Sequence, residues 1–431
     1  MTSTSIAMLL LLGLFFGLLL IRVPVAFALA IPTFITAMYL DIPAMVITQQ
    51  MVRGISSFSL LAIPFFIVSG EIMGQGGISS RLIKFADVIV GRMRGGLAMV
   101  NVVASMFFGG ISGSAVADTS SIGPVLIPMM KEKGYDTDYA VNVTIASSVQ
   151  GIIIPPSHNM IIYSVVAGGV SIGNLFLAGI LPGVFLGIML MVISYAIAVK
   201  RNYPKGEGYS IKEALTITRE SILGLMTAVI IIVGVTTGWF TATESAAIAA
   251  IWAFFVTFFI YKEIKISRMK NILAKSLRTL AMVMALIATS SAFAWMMAYL
   301  RIPTIITETL LSISESKIFI LLIINLILLL LGMIMDMAPL ILIATPILLP
   351  VVTMAGMDPV QFGIVLMLNL GIGLITPPVG SVLFVGCSIG GISMERTMRS
   401  LMPFYITMII TLLALTFIPS LTLLIPRLFG V

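Results

Sequence analysis

The 431-residue chain has almost none of the side chains from which soluble active sites are usually assembled. It holds one cysteine (Cys387), one histidine (His158), three tryptophans and only 10% charged residues. A single cysteine excludes a disulfide framework, and with a single histidine it excludes any zinc or iron site built on Cys/His spacing. Ordinary soluble domains carry about 25% charged residues, and no stretch here is polar for long enough to form one; the longest polar run is about 200–220. The formal net charge of +7 is not a nucleic-acid footprint, because the basic residues lie in short loops between apolar segments.

What fills the chain is apolar. Hydrophobic residues make up 59% of it, and the mean hydropathy is +1.17. Apolar stretches run at about 5–21, 23–40, 58–74, 96–110, 119–130, 139–168, 176–199, 222–240, 244–261, 279–299, 317–331, 338–352, 360–390 and 403–425. Several fall short of the ~20 residues that a spanning helix needs, and short apolar pieces in adjacent pairs read as re-entrant hairpins. The first stretch has no basic residues before it and Arg22 after it. That order is wrong for a cleaved signal peptide, so it reads as a first membrane helix. The methionines are scattered through the apolar segments as packing material.

One pattern occurs twice. Pro155-Pro156 lies within Gly151-Ile152-Ile153-Ile154-Pro155-Pro156-Ser157, and Pro377-Pro378 within Gly373-Leu374-Ile375-Thr376-Pro377-Pro378-Val379, 222 positions later. The same offset pairs Gly110 with Gly332, Pro124 with Pro346, Pro128 with Pro350, Gly134 with Gly356, Asp136 with Asp358, and Ser171 with Ser393. Paired, interrupted apolar segments in two halves of a membrane protein point to a transporter's binding site.

Basic loops mark the cytoplasmic side. Lys200, Arg201, Lys205, Lys212 and Arg219 form one such loop, and Lys262, Lys265, Arg268, Lys270, Lys275 and Arg278 a second. The first hairpin, about 96–130, is flanked by Arg92 and Arg94 and by Lys131 and Lys133, so both its ends read as cytoplasmic. The second, about 317–352, has Glu308, Glu315 and Lys317 before it and no basic residue between Val351 and Asp358, so its ends read as external. The two repeats are therefore expected to be inverted.

Irregular backbone in hydrocarbon survives only where something else satisfies its polar groups. Proline has no N–H for the carbonyl four residues back. Pro155 and Pro156 thus leave the carbonyls of Gly151 and Ile152 free, and Pro377 and Pro378 those of Gly373 and Leu374. Such carbonyls suit Na⁺. The first hairpin is expected to turn through the stretch from Gly109 to Ser121, with its second helix starting near Thr119, and the second through Gly332-Met333-Ile334-Met335-Asp336-Met337-Ala338-Pro339. Asp118 and Asp336 are acids deep in apolar sequence, which marks either functional positions or N-caps of the hairpins' second helices. His158 reads as a hydrogen-bond donor to an anion, a proton carrier or a satisfied interior residue. Glu244, in Thr241-Ala242-Thr243-Glu244, reads as a capping residue.

Gly109-Gly110-Ile111-Ser112-Gly113-Ser114-Ala115-Val116-Ala117-Asp118-Thr119, the Gly-x-x-x-Pro-Pro-Ser around Pro155, and Thr241-x-Thr243-Glu244-Ser245-Ala246-Ala247 resemble the large membrane (M) subunit of TRAP transporters, over essentially the whole chain. The length is similar to the unfused form of that subunit. The resemblance implies an all-α polytopic elevator-type fold with inverted repeats, two re-entrant hairpins and two broken helices. Its parts are expected as N-terminal scaffold helices (1–91), a first repeat core in the transport domain (92–182), connecting scaffold helices (183–316), a second repeat core (317–402) and a C-terminal helix (403–431). It also implies Na⁺-coupled uptake of an organic acid, such as sialic acid or a C4-dicarboxylate, across the bacterial inner membrane, with no enzymatic step and no cofactor besides Na⁺. The expected partners are a small four-helix membrane subunit (Q type), a periplasmic substrate-binding protein (P type) and the lipid bilayer.

Carried onto this chain, the resemblance puts one Na⁺ among Ser112, Ser114, Gly151, Ile154 and Pro156. It puts a second among Gly332, Asp336, Gly373, Thr376 and Pro378, with substrate near Ser114, Ser157, Asn159, Asp336 and Ser381. Sialic acid is favoured over a dicarboxylate because the second repeat offers no arginine for a second carboxylate. The competing readings are a stand-alone elevator-type anion transporter that uses no binding protein and, from another class, a polytopic membrane enzyme with Asp118, His158 and Asp336 as acid–base groups. No nucleophile–base pairing supports the latter.

Overall fold

The computed structural model describes residues 3–21, 23–313 and 316–430; Arg22 and Glu315, used above as flanking charges, lie outside the described residues. Helices α1 (Ser3–Leu20), α2 (Val25–Tyr39), α3 (Ala44–Ile55), α4 (Ala62–Gln75) and α5 (Ile78–Val90) open the chain. A helical pair follows, α6 (Gly96–Ser112) and α7 (Ala115–Glu132), then α8 (Thr137–Ile153), α9 (His158–Ala167) and the long α10 (Ile172–Lys200). Beyond a polar loop come α11 (Ile211–Thr236), α12 (Ala242–Phe255), α13 (Met269–Tyr299) and α14 (Ile302–Ile313). The second set is α15 (Lys317–Gly332), α16 (Met337–Met354), α17 (Pro359–Leu374), α18 (Ser381–Gly390) and α19 (Met394–Phe417), closed by α20 (Ser420–Leu428). Seven helical stretches among the described residues are long and apolar enough to cross a membrane. On α11, Ile222, Met226, Val229 and Val233 stay exposed along one face, the pattern of a helix turned to lipid.

Helix starts repeat at the offset read from the glycines and prolines. Moving Ala115, Thr137 and Ile172 by 222 gives Met337, Pro359 and Met394, the first residues of α16, α17 and α19. The cause lies in the caps. Ser114 and Asp336, Asp136 and Asp358, and Ser171 and Ser393 occupy equivalent N-cap positions. An N-cap oxygen satisfies donors that the first helical turn leaves unpaired; Asp358 accepts from Val360 N–H at 2.7 Å, with Pro359 preset for the first turn. Beyond α7 and α16 the chain turns through Gly134 (φ +84°) and Gly356 (φ +79°), a left-handed conformation that suits glycine.

Helices α8 and α17 are the axis of the molecule. Every residue of α8 from Tyr139 to Ile153 and of α17 from Gln361 to Leu374 is buried, so neither has a polar face to offer solvent. Helices α6 and α7 pack on α8, α15 and α16 on α17, and α8 on α17. The halves are also interlocked, since α16 packs on α9 and α7 on α18. Side-chain amides fasten the crossings: Asn101 Nδ2 donates to Thr144 Oγ1 at 2.6 Å, and Asn369 Nδ2 to Asn325 Oδ1 at 2.8 Å. At the polar end of α8, Arg201 binds Asp136 at 2.9 Å and Asp138 at 3.3 Å. Tyr203 donates to Asp136 at 2.7 Å, and burial, reinforced by that carboxylate, pushes its phenol up to about 12. Helix α13 lies against α2, α3 and α4 on one side and α16 on the other.

Two expectations need correction. The second helix of the first hairpin starts at Ala115, not near Thr119, because Gly113 (φ +60°) ends α6 and Ser114 at once caps α7. The expected boundaries at 182 and 402 fall inside α10 and α19, which run through Pro182 and to Pro403 and beyond without ending.

Candidate functional site

Two junctions of similar construction face each other. In the first, Gly109 meets Gly151 backbone to backbone: a methyl built on Gly151 would sit 2.5 Å from Gly109 Cα. One built on Gly110 would lie 3.0 Å from the Pro155 carbonyl oxygen and 3.2 Å from Ile154 Cγ2. The hairpin tip then reaches the break itself, where a methyl on Gly113 would lie 3.0 Å from Ser157 Cα and 3.1 Å from His158 N. Only residues without side chains allow this approach. Ser112 ends α6 with its hydroxyl 3.4 Å from the Ser114 carbonyl, and Ser114 caps α7 by accepting from Ala117 N–H at 3.4 Å. Ile154 caps α8 at its C-terminal end, and Pro156 is buried beyond it.

The second junction brings Gly332 to Gly373, where a methyl on Gly373 would stand 2.5 Å from Gly332 C. The tip is tied to the break by Val379 N–H donating to the Met333 carbonyl at 3.2 Å. Asp336 caps α16, accepting from Met337 N–H at 3.1 Å, and the residue is exposed. Thr376 turns its hydroxyl to the Ile372 carbonyl at 2.7 Å, and Pro378 is exposed. Both proline pairs, Pro155-Pro156 and Pro377-Pro378, are joined by cis peptides.

The carbonyl arithmetic needs one correction. Gly373 C=O is not free, because Thr376 N–H reaches it at 2.9 Å. The chain tightens to a three-residue closure at the end of α17, as helix ends often do, and gives this oxygen a donor that proline substitution alone does not remove. Leu374, whose helical donor would have come from Pro378, keeps the position read for it.

Asn159 links the two junctions. Its amide donates to the Gly113 carbonyl at 3.4 Å and lies 3.8 Å from Met337 Sδ, next to Asp336. Ser157 stands at the N-cap position of α9, fully buried, and its Oγ has no hydrogen-bond partner among the described residues. Ser381 opens α18, and its Oγ is likewise unpartnered. Ser112, Ser114, Ser157 and Asn159 thus meet around Gly113, and Asn159 reaches the side chain of Met337, the residue after Asp336. Ser381 lies on the helix that packs against α7, which Ser114 caps.

Three further residues are placed by the structure. Asp118 is not a cap: it lies one turn inside α7, fully buried, with neither carboxylate oxygen bonded among the described residues. His158 is the first residue of α9, with its Nδ1 3.2 Å from where a methyl on Gly113 would stand. Glu244 is a cap, closing a reciprocal box with Thr241 at 2.8 Å and 3.2 Å. Sequence reasoning missed Asn325 and Asn101, whose partners Asn369 and Ser147 are themselves separated by the repeat offset; that offset would have found the partners, but Asn101 and Asn325 correspond to Ile323 and Val103 and carry no such signal.

A family model described as "Tripartite ATP-independent periplasmic transporter, DctM component" matches residues 12–421. The chain is 41% identical over 421 residues to the uncharacterized protein YgiK of Salmonella typhimurium, covering 97% of each. It is 38% identical to the sialic acid TRAP transporter large permease protein SiaM of Vibrio cholerae, over 88% of this chain and 89% of that protein. It is 37% identical to the C4-dicarboxylate TRAP transporter large permease protein DctM of Pseudomonas aeruginosa, over 86% and 87%. In fold it is similar to the YdaH transporter of Alcanivorax borkumensis, with a TM-score of 0.65, 12% identity, and coverage of 85% of this chain and 86% of that one.

Proposed function

The chain belongs to the DctM component family of the tripartite ATP-independent periplasmic transporters, as a multi-pass protein of the bacterial inner membrane, and from that membership we propose that it carries an organic carboxylate anion inward on a Na⁺ gradient. The observation that carries the proposal is the paired junction: two hairpin tips meet two helix breaks through glycine contacts, and Asn159 bridges them. One Na⁺ is assigned to Ser112, Ser114 and the carbonyls of Gly151, Ile154 and Pro156. The other is assigned to Asp336 and the carbonyls of Gly332, Thr376 and Pro378, with Gly373 a poorer ligand because its oxygen already has a donor.

Substrate is assigned to the line from Ser114 through Ser157 and Asn159 to Asp336, with Ser381 at its edge. The unpartnered hydroxyls of Ser157 and Ser381 are donors with no other use among the described residues, and polar groups buried that way are normally satisfied. The helix starts at Ala115 and Met337 add their positive ends, which favour an anion. Relatives are named for sialic acid and for C4-dicarboxylates, and between these we favour sialic acid, since no arginine lies in the second repeat core before Arg396. The repeats are taken as inverted, with α6–α9 and α15–α18 moving as one body against the outer helices. A small four-helix membrane subunit and a periplasmic binding protein complete the machine.

Reconstitution with those partners tests the proposal. Uptake of radiolabelled N-acetylneuraminate or succinate is expected to need an inward Na⁺ gradient and to ignore ATP. Undiminished uptake with choline in place of Na⁺ would sink it. Uptake of free substrate by this chain alone would favour the stand-alone reading instead.

A further inference from the structure

A cavity of about 290 Å³ lies away from the two junctions, between the outer helices and the hairpin assembly. Its polar wall is Gln50, Arg53 and Ser57, on and just beyond α3, with Ser290 and Ser291 of α13. The facing wall is apolar and belongs to α9 and α16, through Val166 and Leu342. Gly54 allows this arrangement, since a methyl there would overlap the Ser291 side chain that α13 presses against it. The cavity stands about 10 Å from the substrate line, because Val166 follows Asn159 by seven residues on a helix rising about 1.5 Å per residue.

We propose that this cavity is an anion vestibule, in which Arg53 draws a carboxylate from solvent to the seam between the outer helices and the hairpin assembly. An arginine on an amphipathic helix ordinarily turns its head to the membrane surface. Arg53 is exposed, and it also lines a cavity with three hydroxyls and an amide; no acidic side chain among the described residues lines the same space. Ser290 is 1% exposed, yet its Oγ has no hydrogen-bond partner among the described residues. One positive charge without an acidic neighbour at the mouth of a concave surface concentrates anions there. The candidate substrate line itself contains no cationic side chain apart from the titratable His158. The vestibule therefore supplies, at the approach, the charge that the line lacks. This rests on the reading of the chain as an organic-anion transporter.

The test measures charge preference at the cavity without requiring transport. Ser57→Cys is made with Cys387→Ala, so that it carries the single thiol, and Gln50→Cys in the same background gives a second position. In phosphatidylcholine nanodiscs, labelling rates with an anionic and a cationic methanethiosulfonate are compared. With Arg53 present the anionic reagent is expected to be favoured, and Arg53→Gln should lower the anionic-to-cationic ratio by about tenfold at both positions. Arg53→Lys should keep it. Equal ratios with and without Arg53 overturn the vestibule. A preference that disappears when phosphatidylglycerol is added assigns Arg53 to a lipid headgroup and overturns it too. Failure of Na⁺-driven uptake in the unmodified protein would count against the transport reading and leave the measured ratio intact, so the two failures are distinguishable.

Discussion

Ser114 and Asp336 hold equivalent N-cap positions in the two hairpins, so what separates them is charge rather than geometry. Asparagine caps a helix about as well as aspartate, which makes Asp336→Asn a clean probe. If Asp336 only starts α16, the variant should keep both its thermal midpoint and its transport. The ion assignment expects the midpoint to hold within a few degrees while uptake falls by more than about tenfold, a loss on the order of 1.4 kcal/mol or more in ion binding. Thermal unfolding in detergent and initial uptake rates check the two halves separately, and retained uptake would leave the capping role alone. Both possibilities for Asp336 were legible in the sequence, because Pro339 and the apolar run mark a helix start. Asp118 was not legible in the same way. Gly113 and Ser114 start α7 four residues before it, and its equivalent in the second repeat is Leu340. A buried acid where the other copy packs a leucine has no local signature that distinguishes it from a cap.

At the scale of elements, the broken helices were readable because helix breakers constrain the backbone directly, whereas apolar residues tolerate many registers. Glycine and proline therefore carried the offset, and the caps reproduced it in the helix starts. What the one-dimensional pattern could not carry was the interlocking of α16 with α9 and α7 with α18, which depends on contacts between halves. The glycine contacts that hold each hairpin to its break invite a direct test. Gly151→Ala would place a methyl 2.5 Å from Gly109 Cα, and Gly373→Ala one 2.5 Å from Gly332 C. Backbone cannot rotate away as a side chain can, so each change is expected to cost roughly 1–3 kcal/mol. Thermal midpoints should fall and uptake should be lost, while Gly17→Ala, with nothing within 4 Å of its added methyl, should leave both unchanged. A stable, active Gly151→Ala protein would mean that the first hairpin does not need this approach.

Across the molecule, the two segments related by the 222-residue offset share helix starts and caps but differ where chemistry is proposed for them. Ser157-His158-Asn159 in the first copy faces Val379-Gly380-Ser381 in the second. The second copy also spends its Gly373 carbonyl on Thr376 N–H, and no bond of that kind is seen in the first, where Ile154 N–H goes back to Gln150 at 2.9 Å. The two Na⁺ sites should therefore not respond equally when their prolines are replaced. Pro155→Ala restores an N–H that can reach the Gly151 carbonyl and should raise the Na⁺ concentration for half-maximal uptake by about tenfold, as expected for an ion ligand lost at on the order of 1.4 kcal/mol. Pro377→Ala offers its N–H to an oxygen that already has a donor, so its shift should be the smaller of the two. Uptake measured against Na⁺, with choline balancing the salt, should also rise sigmoidally in the unmodified protein if both proposed sites are filled for each substrate carried. Equal shifts in the two variants would mean that the proline-exposed carbonyls are not what distinguishes the sites, and the asymmetry would then have to come from Asp336 and the serine hydroxyls of the first tip.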